Sequence, residues 1–161
     1  MIYAQPTSNE RISMRYTIAR LEPLRTLLAA VRIKMEQIAL QTKDKGLRGN
    51  ILNFVTEMGP CEEQVKSYII SLQHVFPAND ISPAIKDEND AYQPVCPFEC
   101  AKMYEKKIIK VFRGILNDYK VEKEVRELMR TQLNEILYSF LKIKLLNNFS
   151  SKELRIETSL F

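Results

Sequence analysis

Apolar residues recur along this chain at steps of three and four, and the recurrence divides it into four helical segments. The clearest run is Leu47, Ile51, Phe54, Met58, Cys61, Val65, Tyr68, Leu72 and Val75. Its steps alternate four and three without a miss, which is one seam of a helix meeting its neighbours in a bundle. An earlier run, Leu24, Leu28, Val31, Met35 and Ile38, shows the same period. Glu22 and Pro23 suit its first turn, where proline loses no needed hydrogen bond. "QTKDKG" at 41–46 is a short turn between the two. Ala101, Tyr104, Ile108, Val111, Ile115 and Tyr119 form a third seam, widened by Phe112. "NDYKVEK" turns the chain into the fourth, through Val125, Met129, Leu133, Ile136, Phe140 and Ile143. The expected helices span 22–41, 46–75, 97–118 and 121–146. Gly59-Pro60 falls inside the second, and the unbroken phase across it predicts a kink and not a break.

The intervening segments differ in kind. Residues 1–21 are polar and aperiodic and are expected to form an arm. Residues 76–96, "FPANDISPAIKDENDAYQPVC", hold three prolines and four acids and lack helical phase. A loop that long is uncommon inside a compact domain. It makes sense as a crossover between the second and third helices. The tail, 147–161, is polar with scattered hydrophobes. The whole chain, 1–161, is expected to be one helical-bundle domain, all-α and antiparallel, with enough residues to bury a core.

Charge adds little to this picture in total and more in its distribution. The formal net charge is +4, too small to imply a nucleic-acid partner by itself. Residues 1–50 carry nine basic and four acidic groups, 51–100 two and eight, and 101–144 eleven and six. That alternation fits neighbouring helices with complementary faces. No apolar run reaches the roughly 18–20 residues needed to span a bilayer, and "MIYAQPTSNERISMRYT" lacks the apolar core of a signal peptide. The three cysteines are odd in number. Without an export signal they are expected to be reduced thiols in a cytoplasmic protein.

Candidate chemistry is sparse. In "GPCEEQVKSYIISLQHVF" (59–76), Glu62, Glu63, Cys61 and the lone histidine, His74, share a helix. A di-iron bundle needs Glu-x-x-His pairs on inward faces, but Ser71 stands three residues before His74. His74 falls about 200° around the helix from Leu72 and is expected to face outward. Cys61 and His74 are thirteen residues apart on one helix, roughly 20 Å, and cannot share one metal. Cys61 lies in the seam as a small buried hydrophobe. Cys96 precedes Pro97 at a helix start, where the dipole can lower a thiol pKa, and Cys100 lies one turn on; a redox pair and two ordinary thiols are both open. Lys102, Lys106, Lys110 and Arg113 form a basic stripe, diluted by Glu99 and Glu105. It reads as a phosphate-binding face or as a solvated flank. No phosphate loop, nucleophile elbow or nucleotide fingerprint is present. These readings assign no catalytic, cofactor-binding or metal-binding residue.

Hairpin, crossover, hairpin is the order of ferritin-like bundles. The segment "MYEKKIIKVFRGILNDYKVEKEVRELMRTQLNEILYSFLKIKLL", with Tyr104-Glu105-Lys106 near the start of helix three and "MRTQ" (Met129–Gln132) in helix four, resembles an uncharacterised bacterial branch of that superfamily. "LRTLLAAVRIKMEQIALQTKDKGLRGNILNF" fits its first hairpin more loosely. The resemblance covers residues 24–146. It implies a bundle and carries no functional residue. The expected role is that of a non-catalytic bundle acting through self-association or a protein partner, with no membrane and no cofactor. The alternatives are a ferritin-like metal or redox protein and a nucleic-acid-associated stress protein.

Overall fold

The described residues form four helices: α1 (Ser8–Gln41), α2 (Lys45–Gln73), α3 (Pro97–Leu116) and α4 (Lys123–Ser159). This computed structural model describes residues 8–73 and 96–159, with the side chains of residue 9 and of 11–73 and 96–146. No strand occurs among the described residues. His74 and the expected crossover, Cys96 excepted, lie outside them.

Local chemistry marks where α2 and α3 begin and where α3 turns into α4. Asp44 accepts from the amides of Gly46 and Leu47 at 2.9 and 3.3 Å, capping α2. Pro97 opens α3 behind Cys96, whose carbonyl accepts the Cys100 amide at 3.1 Å. Between α3 and α4, Asp118 accepts the Lys120 amide at 3.0 Å and closes the turn.

The seams of α2 and α4 are buried much as the periodicity predicts. Ile51, Phe54, Met58, Cys61, Val65 and Leu72 are buried on α2, and all six α4 positions are buried. Phe54 and Phe140 meet across the two helices with ring centroids 4.6 Å apart. Late in α2 the phase drifts: Ile69 takes the core position and Tyr68 only packs beside it. A straight helix of 3.6 residues per turn slips against a seven-residue repeat. Similarly, Ala39 displaces Ile38 on α1. On α3, Phe112 is fully buried while Tyr104 and Val111 pack at the margin. Tyr119 is 90% exposed and belongs to the turn.

Two expectations are corrected. Residues 8–21 are not an arm: α1 begins at Ser8, with Thr17 1% and Leu21 0% exposed. Thr17 breaks the apolar pattern in sequence, yet it is buried without loss because its hydroxyl donates to the Ser13 carbonyl at 2.9 Å. Pro23 therefore sits inside α1 and not in its first turn. The carbonyl it leaves free, that of Ala19, is on an exposed residue, as Pro23 is, so water can donate to it. Pro60 repeats the device inside the continuous α2, with Thr56 and Pro60 both exposed. The tail is likewise helical to Ser159. No glycine or proline interrupts 123–159, so the core-anchored part of α4 can propagate onward.

Packing is confined to four helix pairs: α1 on α2, α3 on α4, α1 on α3 and α2 on α4. Among the described residues no Cα atom of α1 comes within 8 Å of one in α4, and none of α2 within 8 Å of one in α3. Residue pairs run in opposite order along these contacts. On α2 and α4, Glu57 meets Ser139 while Gln64 meets Gln132. On α1 and the end of α3, Tyr16 meets Asp118 while Arg20 meets Gly114.

Candidate functional site

Polar and reactive side chains collect in three places: beside the α2–α4 seam, at the start of α3, and along the outer groove between α1 and α3.

The α2–α4 flank is a ladder of paired groups. Glu57 accepts from the Ser139 hydroxyl and from Lys142 Nζ, the latter at 2.5 Å. Those two donors hold its carboxyl below the usual range, with Lys142 the larger cause. One turn on, Cys61 Sγ lies 3.8 Å from Glu135 Oε2. Next, Gln132 Nε2 donates to Gln64 Oε1 at 2.7 Å, and Gln132 is 1% exposed. Its own Oε1 is buried without a partner. These rungs link α2 to α4 side chain to side chain. Nothing in the apolar periodicity marks Glu57, Gln64, Gln132 and Ser139 as a set. A signal is nevertheless present: each stands one residue before a seam hydrophobe, and each pair is seven apart.

Burial raises the pKa of two of the three thiols. Burial, and then Glu135, pushes Cys61 up to about 11, so it is a protonated thiol at neutral pH. Burial likewise raises Cys100. Cys96 is half-buried and its side chain makes no capping bond. Glu62 accepts from Arg32 Nε at 2.5 Å and from Nη2 at 3.3 Å, bridging α1 and α2, and Glu63 is exposed. Among the described residues no three His, Cys, Asp or Glu side chains converge as a metal site would require.

The third place is open to solvent. Between α1 and α3 runs a groove of about 470 Å³. Pro23 and Leu27 of α1 face Val111 and Ile115 of α3 across its floor. Lys107 and Lys110 stand on its rim, and Arg20 and Gly114 close one end. That end is locked. Arg20 Nη2 donates to the Gly114 carbonyl at 2.6 Å. This carbonyl is in the last turn of α3, where the Asn117 and Asp118 amides go instead to Arg113 and Ile115. Arg20 therefore caps α3 from another helix. A Cβ on Gly114 would meet Arg20 Nη2 at 3.2 Å, so the small residue permits the approach. Arg20 Nε also lies 3.1 Å from Asp118 Oδ2, as an ion pair out of hydrogen-bond alignment. Tyr16 donates its hydroxyl to the same carboxylate, and this bond is the main cause that lowers Asp118 and raises Tyr16.

The two rim lysines contrast with this. Both are exposed, and neither has a carboxylate partner among the described residues. Glu105, the nearest acid of α3 in sequence, is bound to Lys144 of α4 at 2.5 Å. The expectation of complementary faces fails here: α1 and α3 together carry eleven basic and five acidic residues. Of the basic stripe read in sequence, Lys110 reaches the rim; Lys102, Lys106 and Arg113 are exposed and do not line the groove. Lys107, outside the stripe, does. Among the described residues no helix is long and apolar enough to cross a membrane.

Compared with protein-family models, curated proteins and solved structures, the chain finds no match.

Proposed function

We propose that this chain is a non-catalytic, antiparallel four-helix bundle of ferritin-like topology that works by binding a protein partner or copies of itself. The order of the residue pairs and the wider backbone spacing of the diagonal helices support the topology. With α1 and α3 opposed, and α2 and α4 opposed, α2 and α3 run the same way and need a long crossover. The observation that carries the binding reading is the contrast in pairing. Glu57, Glu62, Glu105 and Asp118 are all held by hydrogen-bonded or ionic partners within the fold. Lys107 and Lys110, which have no carboxylate partner among the described residues, stand beside an apolar-floored groove at the surface. Paired groups fasten helices; unpaired cations around recessed apolar area are what an interface presents before its partner arrives.

The test is photo-crosslinking in the producing cell, with a photoreactive amino acid at Lys107 and, as a control, at Glu127 on the exposed face of α4. A discrete adduct from position 107 and none from 127 is expected. An adduct of twice the chain's mass would mean self-association, and any other discrete mass a partner. No adduct from any of a set of exposed positions spread over the four helices would overturn the reading.

A further inference from the structure

We propose that the α1–α3 groove docks a short acidic, amphipathic segment of another protein, which seats an apolar side chain on Leu27 and Val111 and sets its carboxylates against Lys107 and Lys110. The proposal rests on the binding reading above and names the partner's chemistry.

The charge is the first argument. The groove joins the two most basic helices of the fold, and the two cations on its rim have no carboxylate partner among the described residues. An acidic segment gains from both, and a basic one is repelled. The floor is the second. Pro23, Leu27 and Val111 offer apolar surface that only an apolar side chain covers usefully. A nucleic-acid backbone would meet the lysines and leave this floor unused. Arg20, the residue whose planar fork suits phosphate best, is already committed to Gly114 and Asp118. A bilayer surface is disfavoured by shape, because the apolar atoms are recessed between two helices and do not project. Size is the third. Arg20 to Leu27 and Lys107 to Ile115 each cover about two helical turns, roughly 10–12 Å. That length holds two turns of a guest helix, which presents one or two apolar anchors at a spacing of three or four residues.

The groove is also preformed. The Arg20 cap on α3 and the Tyr16–Asp118 bond tie its two walls at one end. A guest therefore need not first order the site, which lowers the entropic cost of association.

The experiment uses the full chain. Peptides of about twelve residues are selected from a random displayed library at low salt, synthesised, and measured by fluorescence anisotropy. The expected peptides carry Asp or Glu beside Leu, Ile or Phe. Their amide shift changes on the protein should centre on Leu27, Val111 and Gly114. K107E/K110E should weaken binding about tenfold or more, as should replacing the peptide's acids by lysine, while the variant's circular dichroism spectrum is unchanged. Peptides that are acidic but map elsewhere, or that are not acidic, would overturn the groove assignment and leave the binding reading standing. Recovery of no binder, together with no crosslinked adduct, would remove both. Two further results would replace the occupant: duplex DNA binding more tightly than any peptide and losing affinity in K107E/K110E, or sedimentation showing a dimer that this variant dissolves.

Discussion

The α2–α4 and α1–α3 contacts are both helix pairs on one core, and they use polar residues in opposite ways. Along α2–α4, carboxylate, hydroxyl, amide and ammonium groups are linked rung by rung, and Gln132 and Ser139 are buried in the process, with only the Gln132 Oε1 left without a partner in this ladder. Along α1–α3, one end is matched through Arg20, Tyr16 and Asp118, and the stretch beside it is a groove rimmed by two lysines. A charge that has found its partner inside the fold is structural. A charge that has none, beside apolar surface that is recessed and not covered, is available for an external partner. Both pairs are equally helical, so the distinction lies only in what each side chain meets.

The contrast between the two pairs is most exposed to failure at the core behind the ladder. Replacing Phe54 or Phe140 by alanine removes half of a fully enclosed ring pair and should cost about 3–5 kcal/mol in denaturant unfolding. A loss below about 1 kcal/mol at both would mean that α2 and α4 do not meet there. At the closed end of the other pair, Arg20→Ala removes the cap on α3. A charge-assisted bond of this kind is worth about 1.5–3 kcal/mol. Arg20 is partly exposed, so about 1–2 kcal/mol is expected. Gly114→Ala tests the same cap from the other side. In the R20A background it should recover about 0.5–1 kcal/mol of helix propensity. In the unmodified chain it should recover less, because the new methyl crowds Arg20. Equal effects in the two backgrounds would show that Arg20 and Gly114 are not coupled.

A smaller effect is expected within the ladder. Gln132→Leu removes an amide whose Oε1 is already unsatisfied, while Gln64, which is exposed, can turn to water. The unfolding free energy should stay level or rise by up to about 1 kcal/mol. A fall of more than that would mean the rung is a net fastener. Acid probes both pairs, through Glu57 in the ladder and Asp118 at the closed end of the groove. The folded-state pKa values of Glu57 and Asp118 are both lowered, so each contributes stability that is present above its unfolded pKa of about 4. That contribution is lost as pH falls through the lower, folded value. The melting temperature should fall on acidification below about pH 4, and less so in Glu57→Gln; an identical acid profile in that variant would remove Glu57 from the account. The smallest effect belongs to the open groove. Lys107→Glu with Lys110→Glu should change stability by no more than about 0.5 kcal/mol. A larger loss would mean that the rim lysines hold the fold together and are not spare.

Much of the fold is legible in the order of residues. The α2 and α4 seams follow from spacing alone, and Asp44 ahead of Gly46 marks a helix start. The start of α1 is not legible, because Thr17 stands where the pattern wants a hydrophobe and Pro23 imitates a first turn. Neither is an obstacle in three dimensions: Thr17 bonds its own helix, and Pro23 faces water. For the groove, the sequence shows lysines on α3 but not which of them reach the rim. A stripe read at steps of four and three follows one side of a helix, and Lys107 lies off it.

That the chain forms helices, where most of their apolar stripes lie, and that an excess of positive charge falls on the first and third are properties of the sequence. Local spacing and capping decide these things, and they act within a few residues. It takes the packed bundle to set α3 beside α1, to give Glu105 to Lys144, and to commit the Arg20 guanidinium to Gly114 and Asp118. Those partners are 39, 94 and 98 positions apart in the chain. Which charges are matched, and which are left at the rim of a groove, depends on which helices become neighbours, and periodicity along a single helix carries no information about its neighbour.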